Sequence, residues 1–365
     1  MNGRVLMLLV VAGLGVVGFA LGLGQNPART WGIYLVNLLF WSGLAVTGPA
    51  IAGIMELMEA QWARSVKRVA LTTIGFLPFS FVLFVFLFAG RTVLYPWVTH
   101  PLPAKAAWLN VPFMAARIGV GALVFYWVIW AFVRTTLREG EGGEAQQEAD
   151  RRRRRALATV MLFLFVIVLS LFGFDLVMSL APEWYSGLFG GYFTVSSLYT
   201  GFCLLALLSV AATRAGVQVS PAAVQDVAKL MFATSILWMY FFWSQYLVIW
   251  YGNVPVETKF FIRRFFQDPW RTLAFVIFII GWLIPFAYLL KRLTGRPPAR
   301  HGPLVFVACL ALVAIFLERI MLVFPSITTQ PGFPFGLSEL LITAGFFAFF
   351  ILSRIWFLAR VRPRI

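Results

Sequence analysis

The chain is short of metal ligands and short of charge. Its 365 residues include two cysteines, Cys203 and Cys309, and two histidines, His100 and His301. The cysteines stand singly, far from any C-x-x-C spacing, so no iron–sulfur or zinc framework is encoded. The histidines adjoin Pro101 and Gly302 in loops, whereas a membrane cytochrome b needs axial histidines inside its helices. No P-loop, dinucleotide fingerprint or Ser/His/Asp set stands out. Any electron transfer beside this chain would run through centres on another chain. Charged residues are 12% of the total and hydrophobic ones 61%, with a mean hydropathy of +0.86. A soluble domain is about 25% charged and roughly half apolar, so a water-soluble enzyme is excluded.

What the sequence has is ten apolar stretches long enough to cross a hydrocarbon core of about 30 Å. They run over Val5–Leu23, Trp31–Met55, Lys67–Ala89, Pro112–Val133, Ala156–Ser179, Gly190–Thr213, Ala228–Trp250, Trp270–Leu290, Leu304–Phe324 and Gly336–Leu358. Strand-like alternation is absent, and helices are then the way to satisfy backbone polar groups in lipid. The expected fold is an all-α polytopic membrane protein forming one integral membrane domain over residues 1–365. Val5–Leu23 reads as a retained helix rather than a signal peptide, because no small-x-small cleavage site follows. Spans two to five (31–179) and six to nine (190–324) form two four-helix units in one orientation, each with a carboxylate near the outer end of its last span (Asp175, Glu318). The first and the tenth span (336–358) flank them.

The net charge of +16 raises the question of a nucleic-acid partner, and its placement answers it. Ten spans put both termini on one side, and about 21 of the basic residues fall on that side against about 9 on the other. By the positive-inside rule the termini are cytoplasmic, and the charge is a topology signal with no nucleic-acid partner. The low-complexity stretch Arg138–Arg155, acidic first and ending in five consecutive arginines, reads as a flexible cytoplasmic loop between the two halves, closing on a stop-transfer cluster beside anionic lipid.

Ionisable groups inside a span cost about 2.5–3.5 kcal/mol on insertion scales and face protein or water. Counting 1.5 Å per residue, Asp175 lies about 29 Å along the fifth span, Glu318 and Arg319 about 21–23 Å along the ninth, and Arg117 about 8 Å inside the outer end of the fourth. Asn37 and Gln245 lie at comparable depth in the second and seventh. These six groups gather in the outer third of the membrane. They are either packing ion pairs or a pocket for a quinol headgroup with an outer proton exit, which needs a donor and a carboxylate near each hydroxyl. At the cytoplasmic end, Glu56 and Glu59 beside Arg64, Lys67 and Arg68 read as a solvated helix end or as a proton entry, with Asp226, Lys229 and Arg354 as neighbours. Thr47, Thr72, Thr73 and Ser80 would extend such a path. Pro49, Pro78 and Pro285 are expected to kink or open their helices. Trp97, Trp108, Trp184, Tyr185, Trp250, Tyr251 and Trp270 mark aromatic belts.

Three stretches resemble a known family. Asn26-Pro-Ala-Arg-Thr-Trp through Trp41-Ser-Gly43, Phe174-Asp-Leu-Val-Met-Ser-Leu-Ala-Pro-Glu-Trp-Tyr through Gly191-Tyr-Phe193, and Lys229-Leu-Met-Phe with Phe242-Trp-Ser-Gln-Tyr-Leu-Val-Ile-Trp-Tyr-Gly-Asn-Val-Pro255 resemble the NrfD/PsrC-like membrane subunits of alternative complex III, most closely the ActF type. The resemblance implies two four-helix bundles with flanking helices. It also implies a bacterial complex that oxidises quinol, menaquinol included, and reduces a periplasmic cytochrome c or similar carrier. Partners would be a second NrfD-like membrane subunit, an iron–sulfur subunit, c-type cytochrome subunits, small membrane subunits and lipid, with a terminal oxidase as a further associate. Haem and iron–sulfur centres would sit on those partners, and this chain, without a redox centre of its own, would support proton translocation. Asp175 falls where the family has an acidic residue, and Gln245 and Tyr246 fall in the third motif. Glu183 stands where the family pattern leads one to expect a histidine, a departure that weakens a proton-release role for that loop. The competing class is a ten-helix secondary transporter or proton channel, whose polar groups would lie at mid-depth.

Overall fold

The computed structural model describes residues 3–60, 63–139, 143–293, 301–328, 333 and 335–361. Helix dominates, and among the described residues there is no strand. Among the described residues ten helices are long and apolar enough to cross a membrane: α1 (Gly3–Gln25), α2 (Pro27–Leu57), α3 (Ser65–Leu94), α4 (Val111–Leu137), α5 (Glu144–Leu180), α6 (Phe189–Arg214), α7 (Pro221–Gly252), α9 (Trp270–Leu290), α10 (Gly302–Ile327) and α11 (Leu337–Val361). Between α7 and α9 lies a shorter helix, α8 (Pro255–Phe265). The protein is a multi-pass membrane protein. Below, the terminal face is the side where α1 begins, and the opposite face is the side where it ends.

Local chemistry fixes the helix starts. Asn26 and Asn110 accept the Arg29 and Phe113 backbone N–H groups at 3.1 and 2.9 Å, and Ser220 accepts that of Ala223 at 3.1 Å, with proline at the start of each helix. These caps satisfy amide groups that no helical turn reaches. Asn253, at φ 47°, ends α7 in the left-handed conformation that terminates helices.

Helix α2 is buried almost throughout and touches α1, α3, α5, α6, α10 and α11. Around it, α4 packs on α5 and α3, while α6 packs on α7 and α10, with α9 against α10. Helix α1 is mostly exposed and lies on α11, where Gly15 and Gly345 bring the two backbones into direct contact. Lipid is as apolar as these side chains, so such close backbone contact, rather than apolar burial, holds the helix in place.

The three prolines expected inside spans act in distinct ways. Each removes the amide that would bond the carbonyl four residues earlier, and in each case that carbonyl has a substitute. Ala45 O, opposite Pro49, accepts from the Thr73 hydroxyl at 3.0 Å. Ile74 O, opposite Pro78, accepts the Leu77 N–H within a 3-10 segment, Leu71–Phe76. Gly281 O, opposite Pro285, accepts the Tyr199 hydroxyl at 2.9 Å within a π segment, Ile279–Leu283. Helix α2 stays unbroken through Pro49, whereas α3 and α9 change pitch just ahead of their prolines.

The charged stretch 138–155 is not a flexible loop over most of its length. From Glu144 it is helical and runs directly into the membrane as the start of α5; residues 140–142 lie outside the described residues. Arg154 is buried and Arg152 reaches Glu148 one turn back at 3.1 Å. The Glu148–Arg152 pair, four residues apart on one face, supports the helix there.

Candidate functional site

The six polar groups expected to gather at one depth are all placed, and they form four separate sites with no hydrogen bond or ion pair from one to another among the described residues. In the first, α5 departs from α-helical pitch as a π segment, Phe172–Val177, which holds Asp175. Its buried carboxylate receives Arg117 of α4 twice, Nε to Oδ2 and Nη2 to Oδ1, both at 3.0 Å, and the Trp108 indole N–H at 2.9 Å. The guanidinium also donates to Trp108 O and lies against the Trp108 and Phe113 rings, 3.9 and 4.1 Å from their centres. Trp108, expected in an aromatic belt, is thus also a ligand of the carboxylate. A two-pronged guanidinium contact of this kind fixes both charge and orientation.

The second site lies in α10. Glu318 accepts the Trp238 indole N–H of α7 at 3.0 Å and Arg319 Nη1 at 3.1 Å. Arg319 reaches α6, where Nη2 donates to the Ser196 and Ser197 hydroxyls at 2.7 and 3.1 Å and the guanidinium lies 3.9 Å from the Phe193 ring centre. All of these side chains are buried. The two sites repeat one arrangement: a buried carboxylate, an arginine stacked on an aromatic ring, and an indole N–H. Phe193 stands between them, touching Gly173 of α5 on one side and Arg319 on the other.

The remaining two groups are placed singly. Asn37 donates to Ile33 O and to the Thr343 hydroxyl of α11 at 2.9 and 3.1 Å and accepts the Trp41 indole N–H at 3.2 Å. Gln245 accepts the Ser186 hydroxyl at 3.2 Å.

At the terminal face, Glu56 takes Lys67 at 2.7 Å and Arg154 at 3.1 Å, and both cations also meet Glu139, at 3.1 and 3.4 Å. This network ties α2, α3, α5 and the turn that follows α4 together. Glu59 pairs with Arg151 and Arg155 at its edge. The other three proposed neighbours lie apart from it: Asp226 pairs with Lys229 at 2.9 Å, and Arg354 donates to the Thr72 hydroxyl at 3.0 Å. Arg154 and Glu139 belong to the stretch whose composition suggested a loop, which concealed them. Thr47, Thr72, Thr73 and Ser80 do not link into a chain with one another: each donates to a backbone carbonyl.

One site had no forerunner in the sequence. Helix α8 places Arg264, fully buried, against the end of α10. Its Nη2 donates to Leu322 O at 2.9 Å and to the Ser326 hydroxyl at 2.7 Å, and its Nη1 donates to Phe260 O at 3.1 Å. Burial pushes its guanidinium well below the ordinary arginine value, and the Arg263 charge adds to that. The available signal was Pro255 followed by Phe260, Phe261, Arg264 and Phe265, an apolar and cationic stripe at helical spacing.

Among the described residues, ten membrane-crossing helices with carboxylate–guanidinium pairs enclosed between them define a polytopic membrane protein. The model of the family described as polysulphide reductase, NrfD, matches residues 22–331. The chain belongs to this family, the membrane subunits of quinone-linked oxidoreductases, whose members typically partner with iron–sulfur subunits in redox complexes. The match begins at the end of α1 and leaves α11 outside. No curated protein sequence matches the chain.

Proposed function

We propose that the chain is an ActF-type subunit of alternative complex III, set in a bacterial inner membrane with both termini cytoplasmic. It supports quinol oxidation, and proton movement coupled to it, beside a second NrfD-like subunit. Haem and iron–sulfur centres belong to the partners. The observation that carries this reading is the repeated arrangement of carboxylate, stacked arginine and indole donor at Asp175 and Glu318. Arginine and indole hold each carboxylate in a fixed orientation away from bulk water, as a proton-exchanging group in a membrane requires.

For Asp175 the proton-exit role fits better than direct contact with a quinol headgroup. Three of the roughly four acceptor positions of its carboxylate are already taken by Arg117 and Trp108, and the side chain is fully buried, which leaves a substrate hydroxyl little access to it. Arg117 would release the carboxylate as a proton arrives, and recapture it afterwards. The terminal-face network of Glu56, Lys67, Arg154 and Glu139 is the corresponding place for proton entry.

Purification of the tagged chain from its native membrane tests the assignment. Multihaem cytochrome c and iron–sulfur subunits are expected to accompany it. Recovery as a lone homodimer that catalyses solute uptake would overturn it in favour of a transporter.

A further inference from the structure

A cavity of about 350 Å³ opens at the opposite face between α8 and the turn that joins α5 to α6. Its lining includes Lys259, Arg263, Arg264, Glu183, Pro182 and Ser326. Three cations therefore meet one carboxylate, and no ion pair joins Glu183 to any of them. Lys259 makes no hydrogen bond or ion pair among the described residues. Arg264 is 2% exposed, has no carboxylate partner, and its Nε is buried without a hydrogen-bond acceptor. A buried guanidinium in that condition is costly unless an anion completes it.

The flank of the cavity indicates where the anion comes from. On α8, Ile262 (45% exposed) and Phe266 just beyond it (58%) lie on the same outward side as Lys259, next to Arg263. Helix α8 starts directly after the end of α7, at the level where a span leaves the hydrocarbon, and Tyr251 beside it is 88% exposed. An amphipathic helix at that level, with apolar side chains bordering cations, has the make-up of an element lying in the headgroup region. A soluble anion has no use for the apolar border, whereas a phospholipid uses both.

We propose that this cavity binds the phosphate of an anionic phospholipid, with Lys259 and Arg263 contacting the headgroup at its mouth, Arg264 supplying charge from within, and the acyl chains running past Ile262 and Phe266. The lipid would thereby fasten α8, and through Arg264 the end of α10, to the membrane surface. This role is independent of the redox assignment above.

The test uses the full chain in its detergent-solubilised complex, with palmitoyl-oleoyl phosphatidylglycerol as probe and the corresponding phosphatidylcholine for comparison, read by native mass spectrometry. Phosphatidylglycerol is expected to be retained preferentially. The double variant Lys259→Gln/Arg263→Gln should weaken retention about 30-fold, from roughly fivefold per basic group at a membrane surface. Arg271→Gln, on the same face outside the lining, should leave it unchanged. Should the double variant unfold, Lys259→Gln alone carries the test, since Lys259 has no partner to lose. Equal retention by the wild type and by a folded variant lacking these charges would overturn the proposal. So would displacement of the lipid by millimolar inorganic phosphate, which would mark a site for a soluble anion. Loss of an iron–sulfur partner with lipid retention unchanged would overturn it too, by marking a protein interface.

Discussion

The Glu318–Arg319 pair allows a quantitative test of how the membrane interior is held together. Replacing Glu318 by Gln preserves the side-chain length and keeps an oxygen for the Trp238 indole N–H, but leaves the Arg319 guanidinium among Phe193, Ser196 and Ser197 with no counter-charge. Both partners are essentially inaccessible, at 2% and 0% side-chain exposure, so solvent does not screen the loss. Breaking a buried pair from one side costs about 3–5 kcal/mol. The two serine hydroxyls remain as acceptors, which argues for the lower half of that range. Removing both charges, in Glu318→Gln/Arg319→Met, strands no charge, and buried pairs replaced by uncharged groups of similar volume are often neutral in cost. The double variant should therefore lie within about 1–2 kcal/mol of the wild type, with a coupling of at least roughly 2 kcal/mol between the two sites. Equilibrium unfolding in mixed micelles, followed by tryptophan fluorescence for wild type, both singles and the double, measures that coupling. If the double variant loses as much as the two singles added together, the two charges do not depend on each other and the account of this site fails.

Two further expectations rest on the same geometry. Asp175→Asn retains an acceptor for Trp108 and removes the charge that Arg117 clasps; quinol turnover or its coupled proton yield should fall by roughly 10²-fold, the low end for a positioned proton-transfer group, with all subunits still present on gel filtration. Unchanged turnover and proton yield would leave Asp175 a packing ion. At Gly201 of α6, an added Cβ would stand 1.9 Å from Thr47 Cγ2, so Gly201→Ala should lower unfolding stability by about 1–3 kcal/mol. Thr47→Ser in the same chain should restore part of it, and a Gly201→Ala protein as stable as wild type would show that α2 and α6 are less closely packed than described.

The spans were legible because hydropathy reports the thickness of the hydrocarbon, which ten separate stretches fill. Helix ends were less so, for the same reason. The stretch Ala228–Trp250 marks the apolar part of α7, yet the helix starts at Pro221, capped by Ser220, and α5 begins at Glu144 rather than Ala156. Helix in water leaves no hydropathy signature. Which side chains are polar within lipid could be read directly; which ones meet could not. Arg117 and Asp175 are 58 residues apart in sequence, and Trp238 and Glu318 are 80 apart, so their pairing depends on how whole helices are rotated. Depth alone placed Asn37 and Gln245 with the charged groups, and rotation separated them. Arg264 went unnoticed because α8, at Pro255–Phe265, is too short and too charged to register as a span.

The π turn at Phe172–Val177 carries a consequence for tolerance to length change. A π turn contains one residue more than an α turn, so it is where a helix can absorb an insertion without rotating the residues beyond it. Losing one residue elsewhere in α5 would swing the rest of the helix by about 100° and draw Leu180 and the turn to α6 out of register. Losing one within 172–177 would instead return the segment to ordinary pitch, keeping both ends of α5 in place while changing only the direction in which its carboxylate points. The orientation of Asp175 toward Arg117 is thus set by chain length at a single turn, separately from the packing of the remainder of the helix.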